Sequence, residues 1–153
     1  MRKIEMLLNE YSESHTNKIN ILIHAIAVPA IYFVSIGLIW SIPTPAFIAF
    51  FNVNLAHVIA IPVLYYYFML SGPIGAAMLL LTMAAFLGIQ QLEYWGVSVW
   101  QFSLALFVVM WIAQFIGHHI EGKRASFLSD LRFLLVGPAW WWVHWLKRLN
   151  IPY

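Results

Sequence analysis

The chain has 153 residues, of which 63% are hydrophobic and 9% charged, with a formal net charge of +2 and no cysteine. A soluble domain carries about 25% charged residues, so the composition excludes an ordinary water-soluble domain and makes lipid the main solvent. The weak positive charge argues against a nucleic-acid surface, and the missing cysteine excludes disulfides, thiolate metal sites, iron–sulfur clusters and a cysteine nucleophile.

In chain order, residues 1–14 predict a short helix with Ile4, Leu7, Leu8 and Tyr11 on one face. The stretch holds three Glu and no long apolar run before a cleavage site, so it does not read as a signal peptide. Four apolar segments follow, at about 21–40, 47–70, 74–92 and 99–117, each near the roughly 20 residues that cross a hydrocarbon core. Short turns between them predict antiparallel neighbours. Pro29 and Pro62 fall inside spans, where each should free a backbone carbonyl. The third span carries a small-residue face suited to close helix contact, made of Gly75, Ala76, Ala77, Ala84, Ala85 and Gly88.

No Lys or Arg occurs between Lys18 and Lys123. Arg2, Lys3 and Lys18 precede the first span, and Lys123, Arg124, Arg132, Lys147 and Arg148 follow the fourth. The positive-inside rule then puts both termini in the cytoplasm, and four crossings satisfy that parity. Residues 125–149 predict amphipathic and interfacial helices, the last with Trp140, Trp141, Trp142 and Trp145 at headgroup level beside Lys147 and Arg148. The expected fold is therefore all-α: a single membrane domain over 1–153, built as an integral membrane four-helix bundle. A cytoplasmic N-terminal helix and C-terminal interfacial helices complete it. The membrane is the inner one in a bacterium and the endoplasmic reticulum in a eukaryote.

Histidines gather at the two margins of the uncharged interval. On the fourth span's exit, Gln114, His118 and Glu121 share a helical face at i, i+4, i+7. A His and a carboxylate three apart can bind one metal together. His119 lies around the helix from them, as a supporting group or a further ligand. At the first margin Asn20 and His24 share a face, whereas His15 converges on them only if the chain bends near Thr16, Asn17 and Asn20. Imidazole and carboxylate without thiolate suit iron, zinc or manganese. Two or three His plus a carboxylate, with open positions, is the pattern of non-haem ferrous oxygenases. His57 falls deep in the second span, far from this margin, and reads as a structural hydrogen-bonding residue.

Tyr11-x3-His15-x4-Asn20-x3-His24-x4-Pro29, followed by Gln114-x2-Gly117-His118-x2-Glu121-Gly122-Lys123, resembles the Mpo-type 2-hydroxy fatty acid dioxygenases. The likeness covers nearly the whole chain, including Gly137-Pro138. It implies an Fe(2+)-dependent oxidoreductase of fatty acid alpha-oxidation, acting on a long-chain 2-hydroxy fatty acid and dioxygen and releasing carbon dioxide and an acid one carbon shorter. It implies His15, His24 and His118 as iron ligands, with His119 a further candidate. Glu121 is a ligand or a partner that orients one. Lys18, Lys123, Arg124 and Arg132 are candidates for the substrate carboxylate. Arg124 stands where the family carries Pro, which bears on the substrate entrance more than on iron. Rival classes are a haem-binding membrane protein with histidines on facing helices, a non-enzymatic transporter or assembly factor, and a di-iron desaturase, which needs more histidines.

Overall fold

The computed structural model describes residues 3–13, 15–122 and 134–153. Among them the chain forms seven α-helices and no strand: α1 (Lys3–Ser12), α2 (Lys18–Trp40), α3 (Ala46–Ala49), α4 (Leu55–Leu70), α5 (Gly72–Tyr94), α6 (Val99–Glu121) and α7 (Val136–Arg148). Three of these, α2, α5 and α6, are long and apolar enough to cross a membrane. Large apolar side chains stand exposed along them, Leu22, Leu80 and Leu87 each by more than 60%. In water so broad an apolar surface would be untenable; against acyl chains it costs nothing.

The second expected span is shorter than the sequence pattern indicated. The segment 47–70 breaks at 50–54, and only Leu55–Leu70 continues as α4. Two asparagines cause the break. Asn52 takes a left-handed backbone conformation, φ 55°, and Asn54 caps α4 by accepting from Ala56 N and His57 N. At 1.5 Å per residue α4 is about 24 Å long, short of a roughly 30 Å core. His57 is consequently not deep in a span. It is the third residue of α4, its Nδ1 accepts from Asn54 N, and its ring lies between Trp40 and Phe86.

Tight contacts join α2 to α6, and α4 to α5. With no hydrophobic drive between helices in lipid, such contacts rest on small residues and shape. A Cβ added at Gly37 would stand 2.2 Å from Ser103 Oγ, and one at Gly75 2.5 Å from the Phe68 ring. Of the small-residue face expected on α5, Gly75, Ala77 and Ala85 are buried, whereas Ala76 and Ala84 are exposed. The two helix pairs meet less extensively, and a cleft of about 210 Å³ lies between α2 and α4.

α1 and α7 close one end of the bundle. Ile4 and Leu8 of α1 and Ala139, Val143 and Leu146 of α7 share a buried cluster with Tyr32, Tyr67, Ile74 and Met78. Tyr67 Oη donates to Leu135 O at 2.7 Å, tying α4 to the turn before α7. Trp140, Trp141 and Trp142 are half-buried rather than spread at headgroup level, and Trp145 is the exposed one. Trp141 Nε1 donates to Ala25 O at 3.0 Å. Ala25 is four residues before Pro29, so this is the carbonyl that the proline leaves without an amide donor.

Candidate metal centre

The bend that His15 needs is present, because α1 stops at Ser12 and α2 starts only at Lys18. Asn17 is the N-cap of α2, its side chain accepting from Ile19 N at 2.9 Å. His15 thus sits in a connector above the first turns of α2 and reaches His24, one turn and a half further on. α6 runs beside α2 and delivers His118 from its last turn. One ligand atom from each of the three histidines lies within 4.8 Å of the others, and all three residues are buried. Ring centroids are 4.3 Å apart for His15 and His24, 4.9 Å for His24 and His118, and 5.5 Å for His15 and His118.

Backbone carbonyls select the tautomer of two of these rings. His15 Nδ1 lies 2.7 Å from Tyr11 O, and His24 Nδ1 lies 3.0 Å from Asn20 O. A carbonyl oxygen can only accept, so each Nδ1 carries the proton and each Nε2 keeps its lone pair. That is the state in which a metal-ligating imidazole is held. Nitrogens bound to one ion at about 2.1 Å stand roughly 3–4 Å apart, so three ligand atoms within 4.8 Å of one another would have to draw together only modestly to share one. The donor set therefore fits a divalent transition metal; three imidazoles alone do not choose among iron, zinc and manganese.

Around the rings lie groups that hold them. Tyr11 stacks on His15 at 4.1 Å with 10° between planes, and Trp140 leans on both. Trp140 Nε1 donates to Ser12 Oγ at 3.1 Å, which locks α7 to the end of α1. The buried Asn20 presents its carbonyl to His24, while its Nδ2 donates to Glu121 Oε2 at 3.0 Å.

Glu121 faces the start of α2 rather than joining the group of three histidines. Its Oε1 accepts from Thr16 N at 2.9 Å and from the Thr16 hydroxyl, and its two oxygens share Asn17 N at 3.1 and 2.9 Å. The carboxylate occupies the position an anion takes at a helix N-terminus, where unpaired amides and the helix dipole favour negative charge. It joins the end of α6 to the beginning of α2 and so fixes His118 against His24. His119 is exposed, on the side of α6 away from this cluster, and Gln114 is buried one turn before His118. Lys18 is exposed at the first residue of α2. Lys123, Arg124 and Arg132 lie outside the described residues.

Sequence reasoning placed Thr16 at the bend but did not give it a bond to Glu121, and it did not single out Trp140 as part of this site. The Thr16 amide and hydroxyl reach that distant carboxylate only because α2 and α6 meet. Trp140 is hidden in a run of tryptophans that suits a membrane surface equally well.

The family described as 2-hydroxy-palmitic acid dioxygenase Mpo1-like matches residues 1–149 of the chain. No curated protein matches it, and no solved structure does.

Proposed function

This chain belongs to the 2-hydroxy-palmitic acid dioxygenase Mpo1-like family, and from that premise we propose that it is a membrane-embedded ferrous-iron dioxygenase of 2-hydroxy fatty acids. The observation that carries the reading is the convergence of His15, His24 and His118, with two of the rings held by backbone carbonyls so that their Nε2 lone pairs are available. A ferrous ion at these residues would supply the dioxygen chemistry. The overall change is balanced without an outside reductant: a 2-hydroxy acid and dioxygen give the acid shortened by one carbon, carbon dioxide and water. The bond between the first two carbons breaks, and those carbons provide the electrons that reduce dioxygen.

The protein's own residues hold and shield. His15, His24 and His118 are the ligands. Tyr11 and Asn20 orient the first two through their carbonyls, and Glu121 positions His118 through the α2–α6 junction. An ion held by these three histidines would be open to the substrate's carboxylate and 2-hydroxyl, and the dioxygen chemistry would take place beside them. Burial of the three rings, with Tyr11 and Trp140 packed on His15, keeps bulk water from them. The acyl tail enters the bundle, where each buried methylene contributes about 0.8 kcal/mol. We place the α1–α7 end in the cytoplasm, because Lys and Arg flank that end and are missing from the loops at the other. The crowding of three rings within 5.5 Å argues against haem, whose axial histidines stand on opposite faces of a macrocycle.

The test is anaerobic purification, reconstitution with ferrous iron, and addition of 2-hydroxypalmitate. Dioxygen uptake and a fifteen-carbon acid are expected. His24→Ala and His118→Ala should each lose both turnover and bound iron; full turnover in either variant would remove the reading.

A further inference from the structure

The cleft between α2 and α4 is an apolar cavity that the metal centre does not use. Ile36 and Ile39 of α2 face Ala56 and Ala60 of α4 across it, and Leu134 and Leu135 line it from the turn before α7. Besides Ser35, its polar lining is the pair Tyr32 and Thr82, which satisfy each other: Tyr32 Oη and Thr82 Oγ1 are 2.7 Å apart, and Thr82 Oγ1 also donates to Met78 O at 2.7 Å. A hydrocarbon can fill the cleft without stranding either of these two hydroxyls.

Its position relative to the histidines is set by α2. Tyr32, Ser35 and Ile39 lie within about 80° of His24 around that helix, so centre and cleft share a side of it. Leu134 bridges them, since it lines the cleft and also packs against the Ala27, Ile31 and Trp111 cluster, whose Ala27 is one turn from His24. Along the axis, Tyr32 is about 12 Å, Ile36 about 18 Å and Ile39 about 22 Å beyond His24. An extended carbon chain advances roughly 1.2 Å per bond, as three backbone bonds do in a residue of about 3.6 Å. A sixteen-carbon acid with its first two carbons at the histidines then ends roughly 17 Å away, inside the cleft.

We infer that this cleft receives the methyl-terminal part of the substrate's acyl tail, and that Ala56 and Ile39 at its far end set the chain length accepted. The inference rests on the dioxygenase reading above. Ala56 is buried, and its methyl group leaves the space that a larger residue would occupy. α2 and α4 run antiparallel, which brings the start of α4 to the end of α2 and makes this pair the floor.

The experiment compares kcat/KM for ten-carbon and sixteen-carbon 2-hydroxy acids in the iron-loaded wild type, Ala56→Leu and Ile39→Ala. The ratio between the two acids is the readout, because it does not depend on the fraction of protein folded. Ala56→Leu should lower the sixteen-to-ten ratio by about tenfold or more, since several methylenes lose their burial. The level of Ile39 corresponds to a chain of about twenty carbons, so Ile39→Ala should raise kcat/KM for acids longer than that relative to the sixteen-carbon acid, and it decides the matter if Ala56→Leu fails to fold. An unchanged length profile in an active Ile39→Ala and Ala56→Leu overturns the cleft assignment alone. A wild type that turns over no 2-hydroxy acid of any length overturns the dioxygenase reading and the assignment with it.

Discussion

A methyl group at position 117 would stand 2.3 Å from Asn20 Oδ1. Asn20 has little freedom to retreat, because its Nδ2 holds Glu121 and its carbonyl holds His24. Gly117→Ala should therefore cost about 1–3 kcal/mol through overpacking, and weaken metal binding by roughly 10–100-fold, as loss of a ligand-orienting partner does. Thermal melting with and without iron, together with bound-metal analysis, checks both. A variant with wild-type iron affinity would show that Asn20 is a bystander. The same neighbourhood explains what the sequence revealed of the site. His15, His24 and His118 stood out because imidazoles are scarce and sat at both margins of one apolar interval. The different fates of His119 and Glu121 were not legible. Helical spacing places Glu121 on His118's side of α6 but says nothing of the Thr16 and Asn17 amides that take up its carboxylate.

At the scale of helices, most boundaries follow from apolar length, and α2, α5 and α6 lie within a few residues of the expected spans. α4 does not, because hydropathy averages over Asn52 and Asn54, whereas a single left-handed residue and a single side-chain cap are enough to stop and restart a helix. The carbonyl freed by Pro29 was legible; the group that satisfies it was not, since Trp141 is more than a hundred residues away in sequence. Trp141→Phe keeps the ring but removes the donor to Ala25 O. It should destabilise the protein by about 1–3 kcal/mol, the cost of an unsatisfied carbonyl in a poorly hydrated place. Trp145→Phe, at an exposed site, should stay within about 0.5 kcal/mol. Parallel melts of the two variants in one detergent make the comparison, and equal losses would count against the Ala25 bond.

For the molecule as a whole, the histidines of the centre and both of the flanking helices α1 and α7 lie at one end of the bundle, and the connection from α5 to α6 lies at the other. The missing cysteine permits a direct test of orientation. Single cysteines at Asn150 and at Tyr94, both exposed positions, should react with a membrane-impermeant maleimide from opposite sides: Asn150→Cys only from the cytoplasm and Tyr94→Cys only from the other face. Labelling of both from the same side would contradict a crossing by α6.

The three histidines come from α2, α6 and the connector ahead of α2, and none comes from α4 or α5. The hairpin of α4 and α5 supplies only wall. In the proposed reading α2 bears both a ligand and one side of the cleft, and α4 supplies the other side. A lineage that meets longer or shorter lipids can remodel the α4 side residue by residue, while the helices that bear the histidines are inherited intact.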